Sequence, residues 1–430
     1  MTTELTSPHQ LGGHAPSPHL WPDVAHVPTV PVKAWVAKSI VAQAVRRLPV
    51  RLAFPDGSTW GAGDASAPVM ELLRPTHLFA RLGADFRSGF GEAYMAGDWN
   101  EGAGTDLAQL MTPFAARMSR LVPVPLQKFR RFVDSSMPHH EKNTIQGSRS
   151  NIERHYDLSN DLFGEFLDPT MSYSSAWFPD HIDSPDDLDL QKAQERKIDG
   201  VLDYARVGPG TRVLEIGTGW GALAIRAAQR GAEVTTITIS REQAELARQR
   251  FDEADLGDRI DLRLADYREV VGEYDAIVSV EMIEAVGEEY WPTYFATLDR
   301  LLAPGGRVSL QAITMDHERM LATRHSYGWV HKYIFPGGLI PSLQAIDETL
   351  AAHTGLYVQE RRELGLHYAE TLRQWRTRFN QRWEAISDQG FDETFQRMWN
   401  FYLAYCEARF RTEYLGVSQL AMARRPELGR

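Results

Sequence analysis

The chain has 430 residues, 43% of them hydrophobic and 24% charged, which is enough for two domains or one large domain with a smaller attachment. Its formal net charge of −11 argues against nonspecific nucleic-acid binding, which needs a cationic surface. A single cysteine excludes an internal disulfide and any cysteine-based metal cluster, and no metal site is expected.

Residues 1–31 are rich in Pro, His, Gly and Thr with little periodicity, and read as a flexible tail. From Val32 to Leu48 the pattern turns helical, with apolar Trp35, Val36, Ile40, Val41 and Val45 beside basic Lys33, Lys38, Arg46 and Arg47. No acidic residue occurs between Asp23 and Asp56. Such a helix can lie on an anionic membrane, its cations at the headgroups and its apolar side at the acyl boundary, or it can pack on the protein itself. Val50 to Asp106 reads as a small α+β domain: the strand-like Arg51–Phe54 precedes a Pro55-Asp56-Gly57 turn, and G-F-G-E-A-Y-M-A-G-D-W follows at Gly89–Trp99. Leu107 to Val133 is helical and ends in a second basic-apolar cluster, Lys128, Phe129, Arg130, Arg131 and Phe132. The expected organisation is therefore an N-terminal domain at 32–134, a polar linker at 135–150 and a larger domain at 151–430.

The larger domain opens with two segments that concentrate aromatics and small hydroxyls, His155–Phe163 (H-Y-D-L-S-N-D-L-F) and Met171–Phe178 (M-S-Y-S-S-A-W-F). They suit a helical lid that caps a cofactor and walls an apolar channel. The stretch R-V-L-E-I-G-T-G-W-G, Arg212 to Gly221, follows as a strand, a tight turn and a helix start. Its glycines, Gly217, Gly219 and Gly221, let a nucleotide-like ligand lie against bare backbone, and Glu215 ends the strand. The spacing G-x-G-x-G with an acid two residues earlier fits S-adenosylmethionine (SAM) better than a dinucleotide. Beyond it, strands at 233–240, 260–265, 275–280 and 307–313 alternate with helices. This rhythm requires a mostly parallel sheet covered on both faces, with ligands at the carboxyl ends of its strands. Gly217, Gly219, Thr238, Ser240, Asp266 and Glu281 all fall at such ends. Thr238, Ser240 and Gln243 can hydrogen-bond ribose hydroxyls where an acid is usual; Asp266 can accept from an adenine amino group and Tyr267 can cover its ring.

Six ordered stretches, H-Y-D-L-S-N-D-L-F, Y-S-S-A-W-F, E-I-G-T-G-W-G, T-I-S-R-E-Q, S-V-E-M-I-E-A-V-G and K-Y-I-F-P-G-G, together resemble the cyclopropane-fatty-acyl-phospholipid synthase family. The resemblance runs from about Asn151 to Leu420, and Gly89–Trp99 resembles that family's N-terminal lipid-binding domain. It is strongest to an actinobacterial branch that makes methylene-branched, tuberculostearic-type acyl chains. The resemblance implies an α/β class I methyltransferase with a Rossmann-like sheet and helical lid, using SAM on the double bond of unsaturated phospholipid acyl chains. It implies a bicarbonate ion as proton acceptor, with Glu284 and Tyr368 in its site, Gln311 where the family has a histidine, and Ser175 where a cysteine is common. Tyr173 and Ser174 would flank the cofactor. Cys406 matches a position sometimes labelled catalytic, although its L-A-Y-C-E-A-R-F setting suits a buried cysteine. Methylene and cyclopropane products need the same base, so residues alone do not separate them. A small-molecule O- or N-methyltransferase is a further alternative. The expected partners are phospholipid acyl chains and a reductase acting on the methylene product; a homo-oligomer is left open. No apolar run approaches bilayer length and no secretory signal is evident, so the expected location is cytoplasmic, peripheral at the inner face of the membrane.

Overall fold

The computed structural model describes residues 14–121 and 159–425. They divide into two units, each assembled from separated stretches of chain. The first joins the described N-terminal residues to Ser326–Ile334 and Trp383–Thr412; the second joins residues 159–325, Phe335–Arg382 and 413–425. A single boundary near residue 150, as composition suggests, therefore misassigns two later stretches. Their apolar side chains explain why: Phe401 lies 5.7 Å from the Tyr94 ring and 4.8 Å from Trp329. Phe90 stacks on Trp99 at 4.7 Å within the same cluster.

In the first unit a small sheet runs in the order β2-β1-β3-β4, from β1 (Arg51–Ala53), β2 (Thr59–Trp60), β3 (Val69–Leu72) and β4 (Trp99–Glu101). The expected turn joins β1 to β2, with Asp56 accepting from the Ser58 N–H at 2.9 Å and Gly57 at a φ of 83°. Residues 14–31, expected as tail, are packed instead. Val24 is buried, the Trp21 indole donates to Asp392 at 2.8 Å, and Arg81 donates to the Val24 carbonyl at 2.6 Å. The helix Pro31–Val45 buries Ala37 and Val45 and packs on the helix Pro75–Ala84. Gly83 permits that approach, since a Cβ there would sit 2.6 Å from the Ala34 nitrogen. Val32 and Trp35 remain 75% and 70% exposed. The helix expected from Leu107 is described as Leu107–Leu121; the cluster at 128–132, the linker at 135–150 and His155–Leu158 lie outside the described residues.

In the second unit seven strands take the order β10-β11-β9-β8-β5-β6-β7. They are β5 (Arg212–Ile216), β6 (Glu233–Thr238), β7 (Ile260–Leu264), β8 (Tyr274–Val280), β9 (Leu302–Met315), β10 (Leu356–Glu363) and β11 (Leu415–Arg424). The pairs β5–β6, β5–β8, β6–β7 and β8–β9 are parallel, whereas β11 runs antiparallel to β9 and β10. Helices cover both faces. Val201, Leu202, Leu223, Ala227 and Phe251 pack on one side, and Tyr294, Phe295, Leu298, Ile346 and Leu350 on the other. The centre of the sheet is therefore apolar on both sides, as parallel pairing demands. The register of β11 against β9 sets Gln419 opposite Gln311.

Candidate active site

A single cavity at the carboxyl ends of β5, β6 and β8 gathers most of the residues singled out in the sequence. Its floor is the β5 turn. Gly217, Gly219 and Gly221 all have positive φ, at 97°, 51° and 89°, conformations that side chains with a Cβ disfavour. The three glycines do different work. A Cβ on Gly217 would meet the Met282 side chain at 2.7 Å, and one on Gly221 would meet the Phe251 ring at 2.4 Å. A Cβ on Gly219 would meet nothing within 4 Å, because this residue faces the cavity. Gly219 is therefore the ligand-facing glycine, while Gly221 allows helix and strand to pack closely and does not line the cavity.

On the β6 side Thr238 and Gln243 line the cavity and bond each other at 3.1 Å. Ser240 does not line it. Its hydroxyl accepts from the Gln243 N–H at 3.2 Å and caps the following helix, so its expected ribose contact gives way to a capping role. Asp266 and Tyr267 are lining residues as expected. Both Asp266 carboxylate oxygens already accept from Arg268 at 2.7 Å, so any contact with an adenine amino group must share them. The Tyr267 ring meets Tyr294 edge-on at 5.3 Å, which fixes its plane at the cavity wall.

The opposite end is acidic. Glu215 is buried and accepts from the Thr236 hydroxyl at 2.6 Å; loss of water pushes its carboxyl up to about 8. Lys197, also buried, donates to the Ser174 hydroxyl at 2.7 Å. Burial lowers its ammonium to about 8, opposed by the charges of Glu281, Asp168 and Glu215. Tyr173 stacks on Trp375 at 5.1 Å, and the Ala176 N–H donates to Thr371 at 3.1 Å. These contacts tie the Y-S-S-A segment to the helix Gly365–Gln381, which also carries Tyr368.

At this end the expected proton-acceptor residues converge on a carboxylate that the sequence pattern placed only at a strand end. Glu281 accepts at Oε1 from the Ser175 backbone N–H at 2.9 Å and from the Gln311 amide at 2.8 Å, and the Tyr368 hydroxyl also bonds its side chain. Gln311 is held by a second amide, whose Gln419 Nε2 donates to Gln311 Oε1 at 3.0 Å and to the Lys197 carbonyl at 3.1 Å. That pairing turns the Gln311 NH₂ toward Glu281. Burial raises the Glu281 carboxyl above its ordinary range, offset by Gln311, Ser175, Lys197 and Tyr368. Glu284 is beside this cluster but is not a cavity-lining residue. Its Oε1 accepts from the Ile313 N–H, its Oε2 is buried without a partner, and burial with the neighbouring Glu281 charge pushes it up to about 8.

Cys406 is not brought to this cavity. It belongs to the first unit, on the helix Glu393–Arg411, where burial pushes its thiol up to about 12, away from the range of reactive cysteines. Conversely, the sequence pattern alone does not reveal the parts that Glu281, Lys197 and Gln419 play here. Lys197 sits in the same helix as exposed Lys192, and only packing distinguishes the two.

Residues 143–420 match the family described as mycolic acid cyclopropane synthetase. The chain belongs to this family. Its relatives include tuberculostearic acid methyltransferase UfaA1 of Mycobacterium tuberculosis, 49% identical over 94% of this chain and 95% of that protein. Cyclopropane-fatty-acyl-phospholipid synthase of Escherichia coli is 32% identical over 85% of this chain and 91% of its own. Among solved structures, mycolic acid cyclopropane synthase CmaA1 complexed with SAH and CTAB superposes with a TM-score of 0.57 at 31% identity, covering 66% of this chain and 98% of that one. This synthetase-family member is a SAM-dependent methyltransferase. The cavity fits the cofactor on its own terms: Gly219 leaves room for a ligand against backbone, and the Glu215 carboxyl lies at the strand end beside it. The fit to bicarbonate is poor. The Ser175 N–H and the Gln311 amide are already spent on Glu281.

The raised carboxyls predict a pH dependence of folding. Glu215 and Glu284 bind protons more tightly when folded, with values of about 8 against an ordinary 4.5. Their stabilising contribution is complete below about 4.5 and is lost as pH rises toward 8. Lys197 acts oppositely, but only between about 8 and 10.5. The contribution of these two carboxyls to the ligand-free protein should therefore be smaller at pH ~7.5 than at pH ~5.5. Glu284→Gln should flatten this slope in calorimetry; an unchanged slope would show that Glu284 titrates normally.

Proposed function

We propose that the enzyme methylates the double bond of an oleoyl-type acyl chain in a membrane phospholipid and yields a mid-chain methylene branch. The observation that carries this reading is the 49% identity, over nearly the whole chain, to a protein named for tuberculostearic acid methylation. SAM supplies an electrophilic methyl group. An isolated double bond is a weak nucleophile, so the protein's contribution is alignment, exclusion of water and removal of a proton from the resulting cation. The buried aromatic lid, with Tyr173 against Trp375 and Phe163, supports the first two. Carboxylates at the cavity end support cation stabilisation and proton removal. Bicarbonate is left out of this reading because its expected donors serve Glu281.

A cyclopropane product is the second reading, favoured by the Escherichia coli relative. Expression in an oleate-rich host followed by mass spectrometry of phospholipid acyl chains tests both. Each product gains one CH₂, but ozonolysis cleaves an exocyclic methylene and leaves a cyclopropane intact. Acyl chains of unchanged mass would exclude both. A methylene product would in turn require a reductase to become a saturated branch. The reading also includes peripheral contact with an anionic membrane, supported by the exposed Val32 and Trp35 beside exposed Lys33 on the helix Pro31–Val45. Among the described residues no helix is long and apolar enough to cross a membrane.

A further inference from the structure

We propose that Glu281 is the general base of the reaction, a carboxylate built into the chain in the place where an added anion would otherwise sit. The inference rests on the proposed acyl-chain reaction and extends it to a named proton acceptor. Four observations carry it. Glu281 lines the cofactor cavity, whereas Glu284 does not. Its Oε1 takes both the Ser175 backbone N–H, at 2.9 Å, and the Gln311 amide, at 2.8 Å, and the Tyr368 hydroxyl bonds the same side chain. Three donors on one carboxylate fix its direction and favour its ionised form against the burial that raises its carboxyl.

The third observation is the backing of Gln311. The amide of Gln419 holds its oxygen, so the NH₂ cannot turn away from Glu281 without breaking a buried hydrogen bond. A glutamine cannot carry a proton at neutral pH, and here it does not need to, because it only aims the carboxylate that can. The fourth is backbone geometry. Glu281 has a φ of 51°, in the left-handed region that disfavours residues with a Cβ, and its N–H is held by the Gln311 carbonyl at 2.7 Å. A strained position occupied by an acid at a cavity wall is where function outweighs backbone preference.

The proposed step is a simple proton transfer. In the cation left by methyl addition, a C–H bond breaks, its electron pair stays with carbon to close the product, and the proton passes to a Glu281 oxygen. Whether a hydride shift comes first decides methylene against cyclopropane; the same carboxylate receives the proton in both. The resulting carboxylic acid gives its proton to water after the products leave.

The test uses the full chain with SAM and vesicles of dioleoylphosphatidylglycerol in buffer stripped of carbon dioxide. Wild type should form methylated acyl chains at a rate that added bicarbonate does not change. Glu281→Gln should lower turnover by roughly 10²–10⁴-fold while SAM affinity, measured by calorimetry, stays within a few-fold. Glu281→Gly suits a φ of 51° and frees the Ser175 and Gln311 donors. It should be as slow as Glu281→Gln, and regain turnover when bicarbonate or formate is added. Wild type that depends on added bicarbonate would overturn the assignment, as would a Glu281→Gln enzyme keeping more than about a tenth of its turnover. Should Glu281→Gln also lose SAM binding, the glycine variant decides: rescue supports the assignment and no rescue overturns it. Wild type that binds SAM yet leaves the acyl chains unmethylated would overturn the proposed function itself, a result distinct from all of these.

Discussion

Gly219→Val is expected to reduce SAM affinity by at least ~10²-fold while the protein stays folded, as read by isothermal calorimetry and circular dichroism. Two effects add. A branched side chain is strained at a φ of 51°, costing on the order of 1–2 kcal/mol. Its Cβ and methyl groups also project into the space the cofactor needs, since nothing of the protein lies within 4 Å of that direction. The equivalent change at Gly217 is less informative, because its side chain would first collide with Met282 and disturb the neighbour of Glu281. Gly221→Val would strike Phe251 and report on helix packing. Unchanged SAM affinity in folded Gly219→Val would remove this turn from the cofactor site.

Those distinctions mark the limit of what the sequence carries. The G-x-G-x-G spacing and the alternation of apolar strands with helices were sufficient to locate β5 to β9, because period and turn chemistry are local properties. The antiparallel insertion of β11 between β9 and β10 is not local. It depends on which sheet edge a distant strand reaches, and it creates the Gln311–Gln419 pair. Ser240 shows the opposite error. A hydroxyl at a strand end suits either a ligand or the next helix, and the helix took it. Glu281 was placed at a strand end, yet its role depends on donors from Ser175, 106 residues earlier in the chain, and from Gln311, 30 residues later. The N-terminal stretch at 14–31 failed as a tail because its few apolar side chains, Trp21 and Val24, find partners far away in sequence. A composition argument counts residues and does not see such partners.

The proposed membrane contact predicts the second large effect, and the structure selects the residues that would carry it. A phospholipid acyl chain does not leave a bilayer freely, so an enzyme acting on its mid-chain must reach the membrane surface. Lys38, one of the cations of the helix Pro31–Val45, has its ammonium 5.9 Å from the Trp60 ring and 6.0 Å from Phe79 and serves the protein's own packing. Lys33, Arg46 and Arg47 are exposed, and Val32 and Trp35 stand exposed beside Lys33. An aromatic ring entering the interfacial zone with flanking cations at the headgroups is the arrangement that binds anionic bilayers. Each cation contributes about 1 kcal/mol near such a surface. Changing Lys33, Arg46 and Arg47 together to Gln should therefore weaken vesicle binding by roughly 10²-fold at low salt, and much less at high salt where screening already removes the attraction. Trp35→Ser should weaken binding at both salt concentrations, because burial of apolar surface is not screened. Activity on detergent-dispersed lipid should survive in both variants, since none of these residues lines the cofactor cavity. Vesicle sedimentation at two ionic strengths separates the contributions. A triple variant that sediments like wild type would assign these arginines and this lysine to ordinary surface solvation and move the membrane contact elsewhere on the chain.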